Sequence, residues 1–321
     1  MDNKSIIAIV VVIIIAIIVG LFATGAINLG GNDTVKIGYL PSDHDAALFV
    51  ADAQGKYAEK GIKTELVQFN NGGDLMTAMA SGDVDVGYVG IAPVLSSVSA
   101  GVPVKIISAA QTEGSGILVT NDSKIDEPNE LAGETIATPG EASIQHVLLA
   151  YYLEENGLSL DDINESAMKV PSINDALKTN NIPAAITFQP YVSIAGADEG
   201  VNELVDSSDI LPNHPCCVVV ASDNFIKNHE STVKDIIAIH ENATKFINDN
   251  IDAGKTDEIV KLLPDDIVSD ADIEVESLES FPFISGLSDS YKDDVDAFQD
   301  LEVELGILNE TIPQETLYWE A

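Results

Sequence analysis

Short apolar segments alternate with segments of helical spacing along most of the chain. Four strands are predicted in the first third, at Val35–Leu40, Lys63–Phe69, Val84–Val89 and Val104–Ala110. After the first strand, apolar residues recur near helical spacing from Asp45 to Glu59, and Gly61 provides a stop signal. Strands that alternate with helices are typical of parallel βαβ units, so we predict an α/β fold.

The same rhythm restarts in the second third and gives way to helices near the carboxyl end. Further strands are predicted at Gly116–Thr120, Thr135–Ala137, Ala167–Val170, Ala184–Thr187 and Val218–Val220. Helices are predicted at Ser143–Asn156, Ser172–Thr179, Ser231–Asn250, Thr256–Leu263 and Asp289–Leu305. The pattern therefore predicts two βα modules and a helical tail. Residues 79–85 and 177–183 echo one another, which fits either an internal duplication or two generic βα units.

The amino terminus carries an unbroken apolar run. It extends from Ile6 to Phe22, follows Lys4, and is nearly long enough to span a hydrocarbon core of about 30 Å. We favour an uncleaved membrane anchor over residues 1–28. A long signal sequence remains the alternative, although the cleavage site around Ala23–Ala26 is poor. In either case we expect Gly30 onward to lie outside the cytoplasm, in a protein with no second span.

The charge balance excludes several classes of partner. The chain has 53 acidic residues against 15 basic ones, all of them lysine, and a net charge of −38. A nucleic-acid binder needs a basic face, and so does a protein that grips anionic headgroups, so we expect neither activity. Because there is no arginine, a bound anion must be held by backbone N–H groups, hydroxyls, histidine or lysine.

The predicted βα loops are the candidate ligand site. In open α/β sheets, ligands bind beyond the carboxyl ends of the strands, where glycine permits close approach and helix N-termini offer N–H donors. These loops are rich in Gly, Ser, Thr, Asn and Pro. Helix caps favour the same residue types, so no single loop is diagnostic. The candidate ligand-binding residues are Pro41, Ser42, His44, Asn70, Gly72, Gly90, Ala92, Gln111, Thr138, Ser143, Gln145, His146, Phe188, Gln189 and His214.

Signatures of catalysis are absent from the sequence. There is no G-x-S-x-G, H-E-x-x-H, GxxxxGK[ST] or G-x-G-x-x-G motif, so we predict neither an enzyme nor a cofactor. A metal site built from His44, His146, His214 and Cys216 is conceivable, but no ligand spacing supports it. Adjacent cysteines rarely form a disulfide, and we interpret Cys216 and Cys217 as small core residues at the start of an apolar strand.

Several short motifs follow one another in a characteristic order. They are Ile37–Pro41, Ala46–Ala51, Leu75–Gly87, Gly90–Pro93, Gly101–Val104, Leu131–Gly140 and Gln189–Tyr191. Together they resemble the nitrate/sulfonate/taurine-type substrate-binding proteins of ABC importers, from about Val35 to about Ile307. The resemblance implies a two-lobe, type II periplasmic-binding-protein fold. Each lobe would be a mixed, mainly parallel sheet flanked by helices, here preceded by the N-terminal transmembrane helix.

The resemblance also implies an arrangement of lobes and a function. Lobe 1 would comprise residues 33–113 and 218–321, and lobe 2 residues 114–217, with the chain crossing between them twice. A small solute would bind in the cleft and be delivered to a membrane permease with its cytoplasmic ATPase. We expect a monomer anchored at the cell membrane by its N-terminal helix.

One segment departs from the family pattern and leaves the substrate open. Family members often carry Trp-x-Pro where this chain has Phe188, Gln189 and Pro190, which keeps an aromatic wall but loses the indole donor. The open substrates are sulfonates, taurine, nitrate, bicarbonate and a thiamine-precursor pyrimidine stacked on Tyr39, Tyr88 or Phe188. A pyrimidine-synthesising enzyme of the same superfamily is the alternative from another class, although its cysteine-rich iron-binding stretch does not occur here.

Overall fold

Two five-stranded sheets form the framework of the computed structural model, which describes residues 34–320. The strands are β1 (Val35–Tyr39), β2 (Thr64–Gln68), β3 (Val86–Gly90), β4 (Val104–Thr112), β5 (Ser115–Thr120), β6 (Thr135–Thr138), β7 (Asn164–Ala167), β8 (Ala184–Phe188), β9 (Val201–Asp206) and β10 (Pro215–Ser222). The first sheet has the order β2-β1-β3-β10-β4, and the second has the order β7-β6-β8-β5-β9.

The two sheets share one topology. In the first sheet β10 runs antiparallel to both of its neighbours, and β5 does the same in the second sheet. The other four strands of each sheet share one direction, because the remaining pairings are parallel. The predicted mixed, mainly parallel sheets are therefore present.

Helices cover both sheets and form most of the carboxyl-terminal third. They are α1 (Ala46–Ala53), α2 (Lys56–Glu59), α3 (Gly72–Ser81), α4 (Ile91–Ser99), α5 (Ile144–Glu155), α6 (Val170–Lys178), α7 (Tyr191–Gly196), α8 (Ser207–Ile210), α9 (Asp223–Asn228), α10 (Glu230–Asp252), α11 (Asp257–Val260), α12 (Ala271–Glu279), α13 (Asp289–Glu304) and α14 (Gln314–Leu317). The echoing segments 79–85 and 177–183 occupy equivalent places, between α3 and β3 and between α6 and β8.

Three local predictions differ from the structure. The helix predicted over Asp45–Glu59 is broken at Gly55, which adopts a left-handed φ of 69°. The predicted strand Ala167–Val170 is wrong: β7 ends at Ala167, and Pro171 lies in the first turn of α6, where proline is tolerated. Strand β9 was not predicted, because it lies at a sheet edge and several of its side chains are polar and exposed.

The chain passes between the sheets at two places. It leaves the first sheet between β4 and β5, at Glu113 and Gly114, and returns between α8 and β10. Strand β10 begins at Pro215, a position that proline tolerates because it is the first of the strand. The first sheet therefore includes Pro215, Cys216 and Cys217, which were predicted to lie in lobe 2.

The predicted membrane anchor, residues 1–28, lies outside the described residues. Within residues 34–320, no helix is both long and apolar enough to cross a membrane.

Candidate functional site

A cavity of about 300 Å³ lies between the two sheets, at the carboxyl ends of their parallel strands. Seven of the predicted ligand-binding residues line it: Ser42, His44, Gly72, Gly90, Ser143, Gln145 and Phe188. The other lining residues are Leu40, Asp45, Asn71, Gly73, Pro93, Pro139, Gly140, Ala142, Ile144, Ala167, Val170, Cys216 and Cys217. Among the described residues of its wall there is no lysine, and the ionisable side chains are those of His44, Asp45 and the two cysteines.

Three helices point their N-termini at the cavity. Helix α3 is capped by Asn71, whose Oδ1 accepts from the N–H of Asp74 at 2.8 Å. Helix α5 is capped by Ser143, whose Oγ accepts from the N–H of His146 at 3.2 Å. Helix α4 has Gly90 at its N-cap position, which provides no side chain to cap it. Each cap leaves earlier N–H groups without an intrahelical partner, so three positive dipole ends converge on one space.

The loop after β1 brings ionisable side chains to the first-lobe wall. Asp43, His44 and Asp45 form a short 3₁₀ turn capped by Ser42, and all of them are buried. The Nε2 of His44 lies 3.2 Å from the carbonyl oxygen of Gly114 and donates to it. In the neutral form of His44 this bond leaves Nδ1 as an acceptor, and the Nε2 of Gln111 lies 2.5 Å from it.

Both cysteines of β10 face the same imidazole. The Sγ atoms of Cys216 and Cys217 lie 3.7 Å and 3.8 Å from the Nδ1 of His44. Adjacent residues of a regular strand point to opposite faces, but the pairing of β10 with β4 shifts register on both sides of Cys217. The irregular strand thus turns two adjacent thiols toward one ring.

Burial and mutual charge set the protonation of this cluster. Burial disfavours the charged forms of both Cys216 and His44. For Cys216, the hydrogen bond from Cys217 and the positive charge of His44 outweigh the effect of burial. For His44, the negative charge of Cys216 does so. The pKa of Cys216 therefore lies well below its usual value, and the pKa of His44 lies above its own. The hydrogen bond from Cys217 to Cys216, together with burial, raises the pKa of Cys217.

Three buried carboxyls lie in this turn or near it. Burial raises the pKa of Asp43 to about 6, although His44 and the hydroxyl of Ser277 partly offset it. Burial and the nearby Asp43 raise the pKa of Glu274, on α12, to about 9. Burial also raises the pKa of Asp45 well above its usual value. At neutral pH the protonated form of Glu274 therefore predominates.

Some predicted ligand residues instead join the two lobes. The hydroxyl of Ser42 donates to the carbonyl of Gln189 at 2.7 Å, and the hydroxyl of Tyr191 donates to the carbonyl of Pro41 at 2.9 Å. The side-chain oxygen of Gln189 accepts from the hydroxyl of Ser277 at 3.0 Å. Pro41 and Gln189 therefore connect the loops beside the cavity and do not line it.

The remaining predicted residues lie away from the cavity. Asn70 is exposed, and its neighbour Asn71 caps α3 instead. Thr138 donates to Glu165 at 2.6 Å, and Glu165 also contacts the Nδ1 of His146 at 2.9 Å. His146 and Ala92 line a second cavity, His214 lines a third, and Gln111 lies buried behind His44. A ligand-binding role for these residues stays a prediction.

Some lining residues outside the predicted set could be found from the sequence, and others could not. Asn71, Gly73 and Ile144 are neighbours of predicted residues, and the N-cap signal before each helix was sufficient to find them. The position of Cys216 and Cys217 depends on a strand irregularity that leaves no pattern in the sequence. Of the three predicted stacking aromatics, Phe188 lines the cavity, whereas Tyr88 is fully buried and Tyr39 packs on Phe49.

A protein-family model and several known proteins match this chain. The model of the NMT1-like family matches residues 30–264. The taurine-binding periplasmic protein of Escherichia coli (strain K12) is 28% identical over 205 residues, which cover 62% of each chain. The chain thus spans less than two thirds of that relative's length. The 4-amino-5-hydroxymethyl-2-methylpyrimidine phosphate synthase of Aspergillus parasiticus is 24% identical over 234 residues, 67% of each chain.

A solved structure shares the two-lobe framework. The alkanesulfonate-binding protein SsuA from Xanthomonas axonopodis pv. citri, bound to MOPS, superposes with a TM-score of 0.77. The two chains are 20% identical, and the superposition covers 90% of this chain and 98% of that chain. The likeness shows that the fold is the predicted two-lobe periplasmic-binding-protein fold.

Proposed function

Because the chain belongs to the NMT1-like family, we propose that it is an extracytoplasmic substrate-binding protein of an ABC importer. It captures a small sulfonate-, taurine- or nitrate-like solute in the cavity between the lobes and delivers it to the permease. The N-terminal segment anchors it to the cell membrane. The names of the taurine-binding relative and of the alkanesulfonate-binding neighbour support this proposal.

The convergence of three helix N-termini on one cavity carries the proposal. The described wall holds no lysine, so a bound anion takes its hydrogen bonds from backbone groups at the three helix ends and from side chains such as Ser42 and Gln145. Oriented N–H groups and positive helix ends stabilise an anion without an ion pair. This arrangement fits a chain that has no arginine.

The apolar part of the wall favours a small organic anion. Leu40, Ile144, Val170 and Phe188 line the cavity together with the helix ends. A volume of about 300 Å³ is at the lower end of the range for small-molecule sites. The polar helix ends suit a sulfonate group, and the apolar side chains suit a short carbon chain. We therefore place taurine and short alkanesulfonates ahead of nitrate and bicarbonate.

A ligand screen on the full chain tests the proposal. The panel holds taurine, short alkanesulfonates, nitrate, bicarbonate and hydroxymethylpyrimidine. A ligand at 100 times its dissociation constant adds about 2.7 kcal/mol of stability, which raises the melting temperature by several degrees. A selective shift with the sulfonates is expected. If none of the anions shifts the melting temperature at millimolar concentration, the proposed function is wrong.

A pair of capping variants locates the site. Ser143→Ala removes the cap that lines the cavity, and Ser288→Ala removes a similar cap at the start of α13, where Ser288 accepts from Tyr291. Both lose a comparable hydrogen bond, so both are expected to lose similar stability. Only Ser143→Ala is expected to weaken anion binding, by about tenfold (about 1.4 kcal/mol). Equal anion affinities in the two variants would show that the anion does not bind at the start of α5.

A pyrimidine ligand is the second candidate, and Phe188 is the observation that favours it. Its ring lines the cavity 5.6 Å from the ring of His44, an arrangement on which a flat heterocycle could stack. The same screen separates the candidates. A shift with hydroxymethylpyrimidine that Phe188→Leu abolishes, without any shift by sulfonates, would replace the anion proposal.

A further inference from the structure

The imidazole of His44 and the thiols of Cys216 and Cys217 lie close together at one wall of the ligand cavity. Their potential ligand atoms all lie within 4.8 Å of one another. All three side chains are buried, and all three line the cavity. Within residues 34–320, no other group of three His, Cys, Asp or Glu side chains comes this close. We infer that these three residues form a binding site for one thiophilic ion of the Zn²⁺ type.

The distances match the geometry of a tetrahedral site. Zn–N bonds of about 2.0–2.1 Å and Zn–S bonds of about 2.3 Å at a tetrahedral angle separate N from S by about 3.6 Å. The observed separations from the Nδ1 of His44 are 3.7 Å to Cys216 and 3.8 Å to Cys217. Both N-to-S separations therefore suit a tetrahedral ion, and the two sulfur atoms lie within 4.8 Å of each other.

The second nitrogen of His44 fixes the direction of the first. Nε2 donates to the carbonyl of Gly114, and this bond turns Nδ1 toward the two sulfur atoms. Metal-bound histidines usually donate their other N–H to a carbonyl or carboxylate in this way. The edge of the ring also packs on Phe281, with the centroids 4.7 Å apart. The imidazole is thus held in the orientation that ligation requires.

Gln111 is the group that metal binding must displace. Its Nε2 lies 2.5 Å from Nδ1, and its Oε1 is buried without a hydrogen-bond partner. A rotation of the Gln111 amide frees Nδ1 for the ion and allows Oε1 to accept a hydrogen bond from another group. The present contact therefore costs the protein an unsatisfied oxygen, which lowers the penalty for giving it up.

The charge and proton balance of binding is simple. One divalent ion forms bonds to Nδ1 of neutral His44 and to two thiolates, and the thiols release their protons to solvent. The resulting site carries no net charge, which suits its burial. Since both cysteines line the cavity, the fourth position faces the ligand space, as in sites that keep one position open. The inference does not depend on the proposed anion.

Cobalt substitution tests the site without any anion present. The reduced, metal-stripped full chain is titrated with Co²⁺ and then with Zn²⁺. One equivalent of Co²⁺ is expected to give thiolate-to-cobalt charge-transfer absorption and the visible bands of a tetrahedral centre, and Zn²⁺ should remove both. Cys216→Ser, Cys217→Ser and His44→Asn should each weaken binding at least 100-fold, whereas His229→Asn, on the exposed surface, should not.

Two outcomes would overturn the inference. One is binding of Co²⁺ without charge-transfer absorption, which signals the acidic surface alone. The other is an unchanged titration in the Cys216→Ser and Cys217→Ser variants. A measurement on the unaltered protein keeps the test valid if the variants do not fold. Zn²⁺ should protect both cysteines from alkylation, as measured by peptide mass spectrometry. Cysteines that are alkylated equally with and without Zn²⁺ would also refute the site. Neither result bears on the anion screen.

Discussion

The two lobes share a strand order but contribute different chemistry to the cavity. The first lobe brings the buried turn of Asp43, His44 and Asp45 and the two cysteines of β10. The second brings the neutral cap Ser143 and the aromatic ring of Phe188. A common topology therefore determines where the strand ends and loops meet, but the side chains at those positions determine what can bind there.

Two glutamates, one in each lobe, also differ in how their surroundings shift the pKa. In the first lobe, Glu302 on α13 is buried, and burial raises its pKa to about 8. In the second lobe, Glu165 accepts from Thr138 and pairs with His146. Burial would raise the pKa of Glu165, but these partners lower it. Burial of Glu302 thus costs stability at neutral pH, whereas its partners favour the charged form of Glu165.

The largest predicted effect is at the first crossing between the lobes. Gly114 has a φ of +77°, and a Cβ there would lie 2.6 Å from the Nε2 of His44 and 3.1 Å from the ring of Phe281. Gly114→Ala combines left-handed strain with a clash in a packed region, so we expect a loss of about 4 kcal/mol. Urea unfolding of the full chain measures the loss.

Gly133→Ala in the second lobe is the matched control for this prediction. Gly133 has a φ of +81°, but nothing lies within 4 Å of the position of its Cβ. Strain alone is expected to cost about 1 kcal/mol there. Equal losses in the two variants would show that the His44 ring yields easily and that the crossing is not tightly packed.

The next effect is a pH dependence that originates in the first lobe. Burial lowers the pKa of His240 to about 4, against about 6.5 for a histidine in the unfolded chain. The folded state therefore binds fewer protons, so this stabilisation is complete above pH 6.5 and is lost as pH falls from 6.5 to 4. The shift corresponds to about 3 kcal/mol.

Unfolding free energies at several pH values, for the wild type and His240→Gln, isolate this contribution. The wild type is expected to lose about 3 kcal/mol more than the variant between pH 6.5 and pH 4. The difference between the two proteins removes the titration of Asp43 and of other carboxyls, which both contain. Parallel pH profiles would mean that His240 charges freely in the folded state.

Opposite signs are expected for the two glutamates. The raised pKa of Glu302 means that its stabilisation is present below pH 4.5 and is lost as pH rises toward 8. Glu302→Gln should therefore gain about 2 kcal/mol over the wild type between pH 5 and pH 7. Glu165→Gln should instead lose about 1 kcal/mol at neutral pH, because it breaks the contact with His146. If both substitutions changed stability in the same direction, the predicted contrast between the two glutamates would be wrong.

Much of the fold could be predicted from the sequence, because apolar segments and helix stop signals are local. The paired strands of each sheet and the helix caps at Asn71 and Ser143 follow from such signals. The cysteine cluster could not be predicted, since a strand irregularity and a ring 172 residues away create it. The contacts of Gln189 could not be predicted for a related reason: its partners Ser42 and Ser277 come from distant segments.

The smallest effect concerns a helix cap that each lobe contributes to the cavity. Asn71 caps α3 and Ser143 caps α5, and both line the cavity. Asn71→Ala and Ser143→Ala should each cost about 1 kcal/mol of stability and weaken anion binding about equally, since each loosens one of the converging helix ends. Chemical denaturation and isothermal titration with the anion identified in the screen measure the two quantities. A loss of affinity confined to one variant would show that a single lobe holds the anion and that the other only covers it.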